Sequence, residues 1–230
     1  MEPVEARWQA ALGRVRAAEL AAGRRPGSVA LLAVSKTVSA ARVRAVHALG
    51  QRSFGENYVQ EAVAKQRDLA DLAGIEWRLI GPLQGNKARL AASHFNWVET
   101  VDREDLARRL SAARAAVGRP LDVLVQVNVS GEATKHGIAP GEALALATAV
   151  AALPWLVLRG IMGIPDPAAD AETLRAQFRR LRECFDVCRD AGLRFDTLSM
   201  GMSADLELAI AEGATEVRIG SAIFGARPAK

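Results

Sequence analysis

The sequence predicts a (β/α)8 TIM barrel of the α/β class, one domain over residues 1–230 with an extra N-terminal helix. Three observations point there. Short apolar runs alternate with segments of helical period along the chain, as in βα units around a parallel sheet. Eight such runs fit into roughly 200 residues, the size of one barrel. No linker rich in Gly, Pro or Ser divides the chain. No G-x-G-x-x-G follows the first run, which argues against the alternative, an open doubly wound sheet.

The leading helix carries Val4, Trp8, Leu12 and Val15 on one face and stops before Gly23. Val29–Val34 reads as a buried first strand. Ser39 caps a helix with Val43, Val46 and His47, stopped by Gly50. Arg52–Phe54 is a short second strand, with a helix from about Glu56 to Leu72. Glu76–Ile80 is the third, with a helix after Asn86. Asn96–Glu99 is the fourth, and Asp102 caps a helix carrying Leu106, Leu110, Ala113 and Val117. Leu121–Val129 is the fifth, with a helix after Pro140. Trp155–Ile161 is the sixth, before a long helix around Leu174–Cys188. Thr197–Leu198 is a short seventh, and Ser203 caps a helix with Leu206 and Ile210. Glu216–Ile219 is the eighth.

Composition excludes several classes. Half the residues are hydrophobic, so the chain buries a core without disulfide or metal staples. No run approaches the roughly 18 apolar residues of a membrane span, and the charged start does not read as a signal peptide. A cytoplasmic protein is expected. Net charge is +4, but basic and acidic residues are interspersed and aromatics are 5%, so neither nucleic acid nor a membrane is an expected partner. Cys184 and Cys188 follow the apolar stripe of the long helix and are expected to be buried reduced thiols; no metal is expected. Structural roles are expected for His47, His94 and His136.

In a parallel barrel, chemistry gathers where the strands end. The first strand runs into Lys36, on the same face as Leu32 and Val34. An amine there must be paired or deprotonated, and a neutral amine attacks carbonyls. Of the 30 basic residues only five are lysines, leaving 25 arginines, so a lysine in this chain stands out. Lys65 is placed on a helix flank, Lys87 at a helix start, Lys135 in a loop and Lys230 at the last position. Gly220 and Ser221 follow the eighth strand and open the short helix Ser221-Ala-Ile-Phe, and Ser199-Met-Gly-Met-Ser follows the seventh. Barrels often hold phosphate between those two loops. Arg218, inside the eighth strand, needs a partner if it faces inward; Asp205 and Glu207 are the nearest acids in sequence.

Seven blocks carry a resemblance: A-V-S-K-T at 33–37, F-G-E-N-Y-V-Q-E at 54–61, I-G-P-L-Q-G-N-K at 80–87, Q-V-N-V-S at 126–130, L-R-G-I-M-G-I-P at 158–165, L-S-M-G-M-S-A-D at 198–205 and V-R-I-G-S-A-I-F-G at 217–225. From about residue 28 to the end the chain closely resembles the pyridoxal phosphate homeostasis protein family, the proline-synthetase co-transcribed type, related to the barrel domain of alanine racemase. The resemblance implies PLP fold type III, with pyridoxal 5′-phosphate (PLP) held as a Schiff base on Lys36. It implies phosphate contacts from Ser199-Met200-Gly201 and Gly220-Ser221, Asn57 near the ring and Arg218 against the pyridine nitrogen. Ser221 stands where threonine is expected, and Gly85 where serine is common.

The expected function is intracellular PLP homeostasis by a non-catalytic carrier that buffers and delivers PLP. The arginine makes the ring a weak electron sink. A racemase also needs a second base; the chain ends about ten residues after the eighth strand, and Tyr58 is its only tyrosine. The alternative is a PLP-dependent amino-acid racemase, or a related amino-acid-acting enzyme, with Tyr58 or a second subunit supplying that base. A third reading is a cofactor-free Schiff-base aldolase using Lys36. Expected partners are PLP, free amino acids and, transiently, PLP apo-enzymes; a monomer is expected.

Overall fold

The computed structural model describes residues 3–132 and 135–225, so Lys230 and part of the loop holding Lys135 lie outside the described residues. Eight parallel strands close into a barrel in chain order: β1 (Ala30–Val34), β2 (Ser53–Glu56), β3 (Glu76–Leu79), β4 (Trp97–Val101), β5 (Leu121–Val127), β6 (Leu156–Gly163), β7 (Thr197–Met202) and β8 (Glu216–Ile219). The closing pair is β1 with β8, in register from Ala30–Glu216 to Ala33–Ile219. The helices are α1 (Val4–Ala21), α2 (Ala40–Ala48), α3 (Val59–Asp68), α4 (Ala88–His94), α5 (Glu104–Arg114), α6 (Ala143–Ala151), α7 (Ala171–Asp190), α8 (Leu206–Ala211) and α9 (Ser221–Phe224).

Several expected boundaries move: β4 and β6 run on to Val101 and Gly163, and β5 stops at Val127. β7 runs to Met202 rather than stopping at Leu198, because Ser199 and Met202 continue the pairing with β8 across a register shift. Glu56 ends β2 instead of opening a helix, and α3 begins three residues later. Asp102 does not cap α5: Arg103 holds the cap position, and its Nη1 donates to Asp102 Oδ1. α8 starts at Leu206 behind Asp205, whose Oδ1 accepts from the Met202 N–H, so Ser203 stays in the loop after β7.

Outward-facing strand residues such as Leu31, Ala33, Phe54, Val123, Leu198 and Val217 pack under the helices. Inside the barrel two small apolar groups, Leu32–Val34–Ile80 and Trp97–Leu124–Met162, flank a charged layer of Arg78, Glu99, Glu216 and Arg218, all buried. α1 packs on α2, α8 and α9, outside the closing seam. Its fully buried Glu19 pairs with Arg16 and accepts the backbone N–H groups of Gly27 and Val29, tying the chain into β1. Arg114, 1% exposed, donates to the carbonyls of Ala92, Phe95, Arg119 and Pro120. That clasp joins the end of α4 to the entry of β5. Both cysteines are buried and unbridged, and burial pushes the Cys188 thiol up to about 11.

Candidate functional site

A cavity of about 300 Å³ opens among the residues that follow the strands, at the lower end of the range of small-ligand sites. Val34, Ile80, Ile164, Met202 and Phe224 are among its apolar lining, and Lys36, Thr37, Arg42, Asn57, Ser203, Arg218 and Ser221 carry its polar groups.

Lys36 sits two residues beyond β1, in step with the inward-facing Leu32 and Val34, as the alternation predicted. The next residue, Thr37, has φ +61, a left-handed conformation unfavourable for a β-branched residue. Its N–H donates to Glu61 Oε1 at 2.6 Å, which holds the strained turn in place. Beneath it lies Lys65, 6% exposed, where a plain helix-flank lysine was expected. Its Nζ donates to the Ser35 carbonyl at 2.7 Å, to Glu56 Oε1 at 2.5 Å and to Glu61 Oε1 at 3.2 Å. The Ser35 hydroxyl also donates to Glu56. Burial raises the Glu56 carboxyl, opposed by Lys65. One polar knot therefore fixes both residues that flank the Lys36 turn.

Asn57 follows β2 and lines the cavity. A Cβ on Gly81 would fall 2.3 Å from the Asn57 carbonyl oxygen, so only glycine lets the segment after β3 lie against it. Among the described residues the Asn57 side-chain oxygen has no hydrogen-bond partner.

Arg218, 4% exposed, donates from Nη1 to Ser199 Oγ and from Nη2 to the Gly163 carbonyl, each at 2.8 Å. Glu99, Glu216 and Asp205 supply its negative surroundings. The expected partner Glu207 instead pairs with Arg14 on α1.

The loops after β7 and β8 meet: the Ala222 N–H donates to Ser203 Oγ at 3.4 Å. A Cβ on Gly220 would press on Val34 at 3.3 Å, so glycine keeps this turn close to β1.

The structure thus brings together Lys36, Asn57, Arg218, Gly220 and Ser221. Ser199, Met200 and Gly201 are not part of the cavity wall, which takes the following residues Met202 and Ser203. Ser199 is buried under Arg218, Met200 is in the outer core, and Gly201 (φ +93) backs onto Ala209 of α8. The difference follows from the extra length of β7, which moves its loop onward. Tyr58, the second base of the racemase reading, is 59% exposed and outside the wall. Gly85 lies against Arg109, and His47 and His94 bond to Ala73 and Gln66.

Sequence reasoning missed Arg42 of α2, whose Nη2 donates to the Phe224 carbonyl while its guanidinium lies 5.9 Å from the Phe224 ring centroid. It stands six residues after Lys36, in the first turn of α2, but nothing in the sequence says that α9 closes over it. With Arg42, the described wall holds three cationic side chains and no carboxylate.

Fold and site define a class: a parallel (β/α)8 barrel with an amine beyond its first strand and a described mouth that carries three cationic side chains. Comparison with known proteins makes this specific. The family model described as alanine racemase, N-terminal domain, matches residues 14–228. The pyridoxal phosphate homeostasis protein of Pseudomonas aeruginosa is 58% identical over 214 residues, covering 93% of this chain and 91% of its own. The chain belongs to the pyridoxal phosphate homeostasis protein family. Among solved structures, PipY of Synechococcus elongatus with PLP bound superposes with a TM-score of 0.81 at 40% identity, over 91% of this chain and 98% of that one. A protein from Bifidobacterium adolescentis described as unknown gives 0.89 at 38% identity, over 96% and 94%.

Proposed function

We propose that this protein binds PLP in the cavity and acts in PLP homeostasis as a non-catalytic carrier. The observation that carries the reading is the meeting of Lys36, Arg218 and the Ser203 and Ser221 loops around one described wall free of carboxylates. The residues fit the group. When bound, PLP supplies an aldehyde carbon that condenses with amines, a pyridine nitrogen and a dianionic phosphate.

Lys36 brings the amine on a turn that Glu61 and Lys65 hold rigid, so its position is prepaid in folding. Ser203 and Ser221 offer hydroxyl donors for the phosphate, and Arg42 a fixed positive charge. Asn57 has an unused side-chain oxygen beside the cavity. Arg218 would donate to the ring nitrogen of the bound group. A guanidinium keeps its charge, so it withholds the proton that would make the ring an effective electron sink.

The described wall contains no tyrosine, histidine, cysteine or acid to act as a second proton carrier opposite Lys36. This supports storage and delivery over racemisation. Exchange with free amino acids at Lys36 and hand-over to apo-enzymes belong to the same reading.

Adding PLP to the purified protein should give a new near-visible band at one equivalent, bleached by borohydride. Alanine incubated with it in D2O should exchange its Cα hydrogen no faster than in a mixture lacking the protein. Protein-dependent exchange lost in Lys36→Ala would establish the racemase instead. A protein that stays colourless with PLP yet cleaves a sugar phosphate through Lys36 would establish the aldolase.

A further inference from the structure

Inside the barrel, one hydroxyl sits between three ionisable side chains. Ser199 Oγ accepts from Arg218 Nη1 at 2.8 Å, and Glu99 Oε2 and Glu216 Oε1 each lie 2.9 Å from it. A hydroxyl has one hydrogen and two lone pairs. One lone pair serves Arg218. The single hydrogen serves one carboxylate. A single hydrogen shared between both carboxylates would serve each of them weakly, whereas a hydrogen carried by one carboxyl gives all three contacts a full hydrogen bond. The three contacts are best satisfied with one proton more than ionised glutamates carry.

The remaining contacts say where it resides. Glu216 Oε2 accepts from Arg78 Nη1 at 2.5 Å, a charge-assisted bond that marks Glu216 as the anion. The other Arg78 nitrogens face Glu76, with Nε at 2.8 Å and Nη2 at 2.6 Å. Glu99 Oε1 stays 3.6 Å from Arg78 Nη1 and has no hydrogen-bond partner among the described residues, as suits the carbonyl oxygen of a neutral acid. The charged groups acting on Glu99 are Arg78 from β3 and Glu216 and Arg218 from β8, and Ser199 from β7 is its hydrogen-bond partner. The neighbouring strand β5 carries the buried neutral Gln126, while its Asp122 pairs with Arg159. Burial and the Glu216 charge push the Glu99 carboxyl up to about 8.

We propose that Glu99 is a positioning residue held as a neutral acid at neutral pH, donating to Ser199 so that Ser199 donates to Glu216 and fixes Arg218 at the cavity. Only the last link, from Arg218 to the ligand, rests on the PLP reading. Loss of the proton leaves two carboxylates competing for one hydroxyl hydrogen and draws Arg218 toward Glu99, away from the cavity.

The test uses the ligand-free protein first. An acid whose folded pKa is raised makes stability fall as pH climbs from its ordinary value near 4.5 to about 8. Glu99→Gln cannot titrate, yet its amide still donates to Ser199. Its Tm relative to the unsubstituted protein should therefore rise from pH 5 to about pH 8 and level off by pH 9; parallel Tm curves would overturn the proposal. The Arg218 Nε–H NMR signal should move through the same titration in the unsubstituted protein. A signal flat across that range would overturn it too, whether or not the variant folds. PLP affinity should then weaken about tenfold more from pH 7 to pH 9 in the unsubstituted protein than in Glu99→Gln. Equal weakening would overturn the positioning role, whereas absence of PLP binding in both proteins at all pH values would reject the PLP reading and leave the two ligand-free results to decide the proton.

Discussion

At the scale of the residue, placement decides more than type. Five lysines made each one conspicuous, and strand alternation put Lys36 on the inner face, where the structure has it. The same reasoning passed over Lys65, because the acids that bury it come from β2 and from α3 itself, and contact between them depends on how α3 packs. Arg42 was invisible for the same reason. Arg42→Ala should weaken PLP binding roughly tenfold, the worth of one charge-assisted hydrogen bond of about 1.5 kcal/mol, and leave pyridoxal, which lacks the phosphate, almost unaffected. Isothermal titration with both compounds checks this. Arg218 is a poor site for a charge reversal, since a carboxylate there would join buried Glu99 and Glu216. Arg218→Met leaves Glu216 its Arg78 partner but takes the donors from Ser199 and the buried Gly163 carbonyl, and should destabilise the fold by about 2–3 kcal/mol in chemical denaturation.

At the scale of the element, existence was legible and ends were not. All eight strands and the helices between them follow from apolar periodicity, whereas β7 was cut short at Leu198 because Ser199, Met200 and Gly201 carry no strand signal of their own. Parallel pairing with β6 and β8 recruits them, and this shifts the expected contact from Ser199 to Ser203. The clasp at Arg114 belongs to this scale, because it joins two elements through backbone carbonyls alone. Arg114→Ala strands those carbonyls and opens a cavity, and should cost about 3 kcal/mol, lowering Tm by roughly 6–12 °C for a chain of this length. Lys65→Met leaves Glu56 buried beside Ser35 without its cation and should destabilise by a similar 3–5 kcal/mol. It should also weaken PLP binding, since the Lys36 turn rests on that knot.

At the scale of the whole molecule, the alternation of runs gave barrel closure, and the seven blocks gave the family. The polar interior was not foreseen, because inward-facing Arg78, Glu99 and Glu216 read in sequence like solvated strand residues until the sheet closes and brings β3, β4 and β8 face to face. Burial of Cys184 and Cys188 is a property of the intact fold: a thiol reagent should leave both unmodified in the native protein and label two equivalents after unfolding. The central claim is that this barrel holds PLP through the amine beyond its first strand. Reduction of the PLP-loaded protein with borohydride, followed by peptide mass mapping, tests it most directly. The account predicts one stoichiometric pyridoxyl group on the peptide carrying Lys36; a label confined to another lysine, with residue 36 unmodified, would contradict it.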